Sequence, residues 1–551
     1  MKTVKSQQTK VLIILLISVT VIFAVNKTNL YKEISNSIRL YNEVYRQLFT
    51  NYVDPINAEE FVETSIRHMM KELDPYTVFM TEEEKEPLET LTKGSYGGVG
   101  LRISMRKDTL TVISPMEGSP ASRANILPGD QVLKIDSVST IGLDLNKAAK
   151  MIRGKIGTTV TLTIRRPGVT GLSEYTLTRD NINVDDVSYS GMLQDHIAYI
   201  RLSGFSKGAS VEVRQAISSL KKEDKRIQAL ILDLRGNPGG LLSEALAVSE
   251  LFTDAGDTLL FTKGRTQVAN RVFVSRQKPY LPHDIKIVVL VNKGSASASE
   301  IVAGVIQDLD RGIVIGAPSF GKGLVQTVFR IDKTHSVKVT TAKYYIPSGR
   351  LIQKPDYLNN PGLVEEHISG DTLFYSKNSR VLKGGGGIVP DIEVKVESLP
   401  DYVRELWRQN MFYSYAIKYK SEQGDIPTPV VVDENIISDF KTYLDEDGFI
   451  YYKKNEKKLR DLEKDLLKEE YFKSVRNPFA SFYAVYDSMK VSDYDSNLSY
   501  IKRGLTSEIS TLAGGLTERI KNDLDSDPVI EKAMNVILDE IEYQTTLGYA
   551  Y

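Results

Sequence analysis

The chain has 551 residues, 41% hydrophobic and 26% charged, with 70 Lys+Arg against 71 Asp+Glu. That length predicts about three or four domains, and the near-neutral balance lacks the basic excess of a generic nucleic-acid binder. The absence of cysteine excludes thiolate catalysis, disulfides and Cys-ligated metal centres, and the five histidines (His68, His196, His283, His335, His367) never fall three to five apart, which excludes a local zinc motif.

In chain order, Lys2, Lys5 and Lys10 precede the apolar run Val11 to Val25. Residues 1–30 are read as a secretory signal or, because Ile22 and Ala24 make a poor small-x-small cleavage site, as a retained membrane anchor. The positive-inside rule then places the rest outside the cytoplasm, in a periplasmic or envelope setting that suits a cysteine-free chain. Residues 31–90 read as an N-terminal helical segment. NSIRLYNEVYRQLFTNYV carries apolar residues at helical spacing, with Asn36 as its cap, AEEFVETSIRHMMKELD is a second helix, and TEEEKEPLETLTKG reads as an acidic linker.

From about 91 to 170 the texture changes to short alternating strands: YGGVGLRISM, TLTVISPM, QVLKIDSV and TVTLTIRRPG. From 171 to 395 strands alternate with helices. HIAYIRL, IQALILDLRG, IKIVVLVN and GIVIGA are near-continuous apolar runs, as expected for strands covered on both faces. Residues 396–551 read as a charged, Tyr-rich helical extension with no catalytic constellation. The fold class is therefore multidomain α+β with an α/β core.

Three segments carry chemistry. In VVLVNKGSASASEIVAGVIQD a buried strand runs into a small-residue loop and a helix, placing Ser295, Ser297 and Ser299 near unpaired helix N–H groups that suit an oxyanion. Glu300 falls near the helix start, where a carboxylate is favoured. In GIVIGAPSFGKGLVQTVFRI, Gly316 to Lys322 spells GxxxxGK. A phosphate loop fails there, because Gly323 replaces the magnesium-binding Ser/Thr and a strand pattern follows. The alternative is a lysine base. Such a lysine must be pulled from about pKa 10.4 to about 7, at about 4–5 kcal/mol, by desolvation. Lys322 and Gln326 are four apart and would share a strand face, a Ser-Lys version of triad logic, with His335 the alternative base. In LILDLRGNPGGLLSEAL, Gly239 and Gly240 follow a buried strand and could free backbone N–H groups for an oxyanion hole.

Taken together, DLRGNPGG, KGSASASEI, FGKGLVQ, TTAKYYIPSGRLIQ, GGIVPDIEV and ELDPYTVFMTEEE resemble the C-terminal processing peptidases, or tail-specific proteases, over about residues 35–395. The resemblance implies a PDZ domain followed by an α/β protease core of the ClpP/crotonase type. It implies Ser297 as nucleophile, Lys322 as base, Gln326 as its partner, and the amides of Ala298 and of Gly239 or Gly240 as oxyanion donors. Asp308 resembles a helix acid of some members, with a solvated helix face the other reading. YGGVGLRI implies a carboxylate loop at Gly98, Val99, Gly100 and Leu101 that captures apolar protein C-termini by strand addition, and Arg102, Arg153 and Arg165 are candidates for coupling it to the active site. The expected protein is an extracytoplasmic serine endopeptidase without metal, nucleotide or organic cofactor. It acts on envelope proteins, with room for a homo-oligomer or an activating partner. The rival expectation is a silent PDZ scaffold that binds C-termini. The closing GYAY is a further candidate occupant of the PDZ groove.

Overall fold

The computed structural model describes residues 31–359, 373–469, 477–490 and 492–549. The apolar run 11–25 lies outside them. Among the described residues no helix is long and apolar enough to cross a membrane.

Among the described residues, the first of two compact units comprises residues 31–79 together with 358–359. Its first helix covers 31–51, so Asn36 lies inside it and is not the cap. Local apolar periodicity carries the helix past that polar residue. The second helix, Ala58–Lys71, is capped by Asn57, which accepts from the Glu60 amide. Phe49 and Phe61 join the two helices edge to face, with ring centroids 5.5 Å apart.

The second unit holds the remaining described residues. TEEEKEPLETLTKG is a helix there, Glu82–Lys93, rather than a linker. The physical reason is end chemistry. Thr81 and Glu84 form a capping box, with the Thr81 amide donating to Glu84 at 2.8 Å, and Gly94 closes the helix at φ +71°.

The small β-rich domain follows. Its strands run in spatial order Leu101–Arg106, Thr109–Pro115, Gln131–Ile135, Thr159–Arg165 and Ser173–Thr178. The helix Leu145–Ile152 buries Ala148 and Ile152 against them.

The α/β core is a six-stranded sheet in the order Val187–Met192, Ile197–Leu202, Ala229–Asp233, Lys286–Val291, Ile313–Gly316 and Ile392–Glu393. Only the first pair is antiparallel. Helices Ala209–Glu223, Leu242–Glu250 and Ala298–Asp308 pack on one face through Leu230, Leu232, Val289 and Val291. The opposite face, with Tyr199, Ile231, Val288, Leu290 and Ile313, is covered by Ile520, Leu524, Ile530 and Val536 of the C-terminal helices. A second, antiparallel sheet includes the hairpin Leu324–Arg330 and Ser336–Tyr345, followed by Thr258–Gly264 and Arg271–Val274.

The C-terminal region is built from helices including Asp401–Arg408, Met411–Gln423, Glu434–Glu446, Leu498–Leu524, Pro528–Leu538 and Glu540–Thr546. The helix Leu498–Leu524 is broken at Gly514 and Gly515. Before the break, Ile501, Leu505 and Ile509 belong to a helical core with Phe412, Tyr415 and Phe440. After it, Ile520 and Leu524 belong to the core under the six-stranded sheet. This region also grips the β-rich domain, where Arg106 reaches Glu508 at 3.3 Å and Asn410 at 3.2 Å.

Of the closing GYAY, residues 550–551 lie outside the described residues. Leu547 is buried on the six-stranded sheet's second face, its carbonyl accepting from Asn378 at 2.9 Å, beside the strand start where Tyr543 meets the Ile287 amide at 3.0 Å.

Candidate active site

Three neighbouring parallel strands, ending at Asp233, Val291 and Gly316, deliver their loops to one edge of the sheet. That carboxyl edge is where open α/β sheets build sites. The loops carry DLRGNPGG, KGSASASEI and FGKG, so motifs far apart in sequence meet because of strand order.

Side chains stitch the first two loops together. Asn237 is fully buried; its amide group donates to the Leu202 carbonyl at 2.8 Å, and its own carbonyl accepts from the Ala296 amide at 3.0 Å and the Ser299 hydroxyl at 2.9 Å. Ser295, also fully buried, donates to the Leu234 carbonyl at 2.8 Å. Ser295 and Ser299 both spend their hydroxyls on loop carbonyls. Ser297 is half-buried.

Ser297 caps the helix Ala298–Asp308 at φ 55°, ψ −110°. An L-residue rarely adopts that region, at a cost of about 1–3 kcal/mol, and it persists only where the surroundings over-determine it. Glu300 accepts from the Ser297 amide at 2.8 Å. On the other side Gly239, at φ +98°, lies so close that a Cβ would stand 2.7 Å from the Ala296 carbonyl and 2.9 Å from the Ala298 nitrogen. Only glycine fits there.

Lys322 lies in the loop before the strand Leu324–Arg330. Its amide donates to the same Glu300 oxygen that takes the Ser297 amide, at 2.9 Å. The other Glu300 oxygen accepts from the Ser319 hydroxyl at 2.5 Å and the Gly321 amide at 2.6 Å. Burial pushes the Glu300 carboxyl up, and these donors pull it back only in part. Glu300 therefore ties the serine loop to the lysine loop. The helix-start preference noted in the sequence places a carboxylate here but is blind to this second partner.

Gln326 does not follow from strand alternation as expected. Lys322 precedes the strand, and a register shift at Val325/Gln326 interrupts the pleat. The Gln326 side-chain amide donates to the Thr340 hydroxyl at 3.4 Å. His335 sits at the far tip of the hairpin beside Asp332, at 2.8 Å. Six register steps separate that tip from the Leu324–Lys343 pair, about 20 Å along the strands, which places His335 away from the Lys322 loop.

Among the oxyanion candidates, the Gly239 amide donates to Asn237 Oδ1 at 2.8 Å. Gly240 bridges to Phe205, and Ala298 is buried at the first position of its helix. Asp308 is not on a solvated face. It is buried against Arg350 at 2.8 Å and accepts from the Ser348 amide at 2.8 Å. Asp233 of the DLRG loop is buried too; burial alone would raise its carboxyl, but Arg235 at 2.7 Å and the Tyr199 hydroxyl at 2.7 Å hold it below the ordinary range. Arg235 in turn pairs with Asp527 of the C-terminal region at 2.7 Å.

In the β-rich domain, Gly98 ends a strand paired to Asp180–Asn183. Val99 is fully buried, and Gly100 turns at φ +73° against Ser119, where a Cβ would collide at 2.2 Å. Leu101 opens the next strand. A groove of about 530 Å³ runs between that strand and the helix Leu145–Ile152, walled by Val99, Leu101, Ile103, Leu145, Ala149 and Ile152. Arg153 lies over the Tyr96 ring at 4.5 Å and pairs with Glu86 at 3.5 Å, Arg102 pairs with Asp185 at 3.3 Å, and Arg165 bonds Gln131 at 2.7 Å.

Family models match at three places: peptidase family S41 over residues 196–359, a PDZ domain over 111–166, and the C-terminal helical domain of a probable PDZ-protease over 402–537. Fold and matches together define a serine-type peptidase carrying a PDZ domain. The chain is 36% identical to the carboxy-terminal-processing protease of Bartonella bacilliformis over 65% of its own length and 82% of the relative's. It is 34% identical to the carboxy-terminal processing protease CtpA of Bacillus subtilis, over 65% and 78%. Among solved structures, a photosystem II D1 C-terminal processing protease shares 26% identity with a TM-score of 0.35, covering 66% of this chain and 94% of that one. The chain belongs to the carboxy-terminal-processing protease family of S41 peptidases.

Proposed function

We propose that this peptidase is an extracytoplasmic endopeptidase in which Ser297 is the nucleophile and Lys322 the general base, and in which the PDZ groove recruits proteins by apolar C-terminal tails. The observation that carries the reading is the strained Ser297 at a helix start, with its amide and that of Lys322 held on one buried Glu300 oxygen. Lys322 takes the Ser297 hydroxyl proton as Oγ attacks the substrate carbonyl, then gives a proton to the leaving amine. Water releases the acyl group by the reverse transfer. Gln326 orients the amine. The Ala298 amide is one oxyanion donor. Gly240 is favoured as the second, because the Gly239 amide is already donated to Asn237. The scheme uses no metal or organic cofactor.

The apolar groove walls support capture of an apolar tail as an added strand, with the tail carboxylate at Gly98, Val99, Gly100 and Leu101. We assign residues 31–90 to the N-terminal helical segment, 91–170 to the PDZ domain, 171–395 to the peptidase core and 396–551 to the helical extension. Residues 11–25 are proposed to hold the protein at the membrane, facing envelope substrates.

The test mixes the chain from residue 31 onward with an unfolded reporter ending in Leu-Ala-Ala, beside Ser297→Ala and Lys322→Ala. Cleavage by the wild type alone is expected. Cleavage surviving Lys322→Ala would move the base elsewhere, and tail binding without cleavage by any form would favour the scaffold reading.

A further inference from the structure

Tyr344 is buried, with 1% of its surface exposed, on the strand Ser336–Tyr345. Its amide donates to the carbonyl of Gly323, the residue after Lys322, at 2.9 Å. Its phenol oxygen hydrogen-bonds the Lys322 carbonyl and lies 3.2 Å from the Ser297 carbonyl. Strand alternation turns the next residue, Tyr345, the other way, to stack on Phe261 at 5.3 Å. Tyr344 is the tyrosine that reaches the two loops.

Glu300 takes the amides of Ser297 and Lys322, and Tyr344 reaches their carbonyls. Each residue is therefore held on both sides of its Cα, by one carboxylate and one phenol shared between loops that are far apart in sequence. We propose that Tyr344 is a positioning residue for the peptidase reaction, setting the distance and angle between Ser297 and Lys322. This rests on the assignment of those two residues above. A phenol has one hydrogen for two acceptors. The hydrogen goes to Lys322, the tighter contact, with the Ser297 carbonyl sharing it as a bifurcated partner.

The need for such a device is physical. Ser297 occupies a backbone region that relaxes unless held, and Lys322 sits on a loop outside the sheet ladder. Misplacing a reacting group by 1 Å costs about 100-fold in rate. The Tyr344 ring also packs in the protease core, so ring and hydroxyl must be separated. Tyr344→Phe keeps the ring and removes only the bridge.

The experiment compares the full chain with Tyr344→Phe, Ser297→Ala, Lys322→Ala and Tyr494→Phe. Tyr494 is a control: its buried hydroxyl donates to the Ile437 carbonyl at 2.6 Å, within the helical core. Steady-state kcat and KM on a tailed reporter are measured across about pH 6 to 10, with the melting temperature and the rate of labelling by a fluorophosphonate probe. Tyr344→Phe is expected to lower kcat and the labelling rate about 10- to 100-fold, leave KM within about twofold, and move the acid limb of the pH profile. Tyr494→Phe should lose a similar melting increment with kcat unchanged. A wild-type kcat and pH profile in Tyr344→Phe, with Ser297→Ala and Lys322→Ala both dead, overturns the proposal alone. An equal kcat loss in Tyr494→Phe also overturns it, because the effect would then be general destabilisation. Turnover persisting in Ser297→Ala or Lys322→Ala overturns the assignment beneath it as well.

Discussion

On one face of the core sheet, Leu230, Leu232 and Val289 meet helices that lie between the strands in sequence. On the other face, Ile231, Val288 and Leu290 meet helices near the chain's C-terminus. The residues of a single strand, Ala229–Asp233, divide alternately between the two cores. The first face is closed by local crossovers, which chain connectivity nearly guarantees for parallel strands. The second is closed by a region that the motif resemblance leaves out. The helical extension is therefore part of the peptidase core as well as an addition to it, and it also grips the PDZ domain through Arg106 and Glu508.

The largest test of that difference is removal of residues 516–551. Tyr199, Ile231, Val288, Leu290 and Ile313 would then face water, an exposed patch that favours aggregation. The expected outcome is an insoluble chain or one without a cooperative melting transition. A soluble, cooperatively folding truncation would mean that the second face needs no cover.

Next comes Arg235→Ala, which strands the buried Asp233 carboxylate and cuts the link to Asp527. Breaking a buried pair from one side costs about 3–5 kcal/mol. A paired comparison of similar size sets Leu232→Ala against Ile231→Ala, each expected to cost about 2–5 kcal/mol. Equal losses in denaturant melts would establish that the distant helices pack as closely as the local ones. A much smaller loss at Ile231 would mark the second face as loosely covered. Asp527→Asn is smaller again, about 1 kcal/mol, because Asn keeps the cap on Val529 and loses only the charge facing Arg235.

The last effect is a pH dependence on the locally closed face. Glu212, on the helix Ala209–Glu223, accepts from the Asp186 and Val187 amides at 2.9 Å where the PDZ domain joins the sheet. Burial pushes its carboxyl up from 4.5 to about 7. An acid with a raised folded pKa holds its proton more tightly folded than unfolded. Its contribution therefore favours folding below about pH 4.5 and is lost progressively as pH rises through about 7. Glu212→Gln should remove that slope, gaining on the wild type in melting temperature between pH 5 and pH 8. Parallel curves for the two proteins would dismiss it.

Much of the core was legible because its cause is local. The apolar runs around Ile231 and Val288 read as strands covered twice. The motif ends read as loops, and Lys322 stood out among small residues, whereas only the family resemblance set Ser297 apart from Ser295 and Ser299. The misreadings were also local. The helix Glu82–Lys93 was hidden by its acidity although its T-x-x-E cap was in view, and the Lys322–Gln326 spacing assumed a regular pleat where a register shift intervenes. Tyr344 was quoted only within a motif, because nothing in TTAKYY says which ring turns inward.

The sequence by itself determined the domain order, the strand and helix periods, and the residue types at the loops, since these depend on side-chain pattern and backbone preference over a few positions. Tertiary structure decided which loops meet at one sheet edge, that one Glu300 oxygen holds two distant amides, and that the final helices seal the second face. Those facts depend on strand order and on surfaces that come into contact only when the whole chain has closed around them.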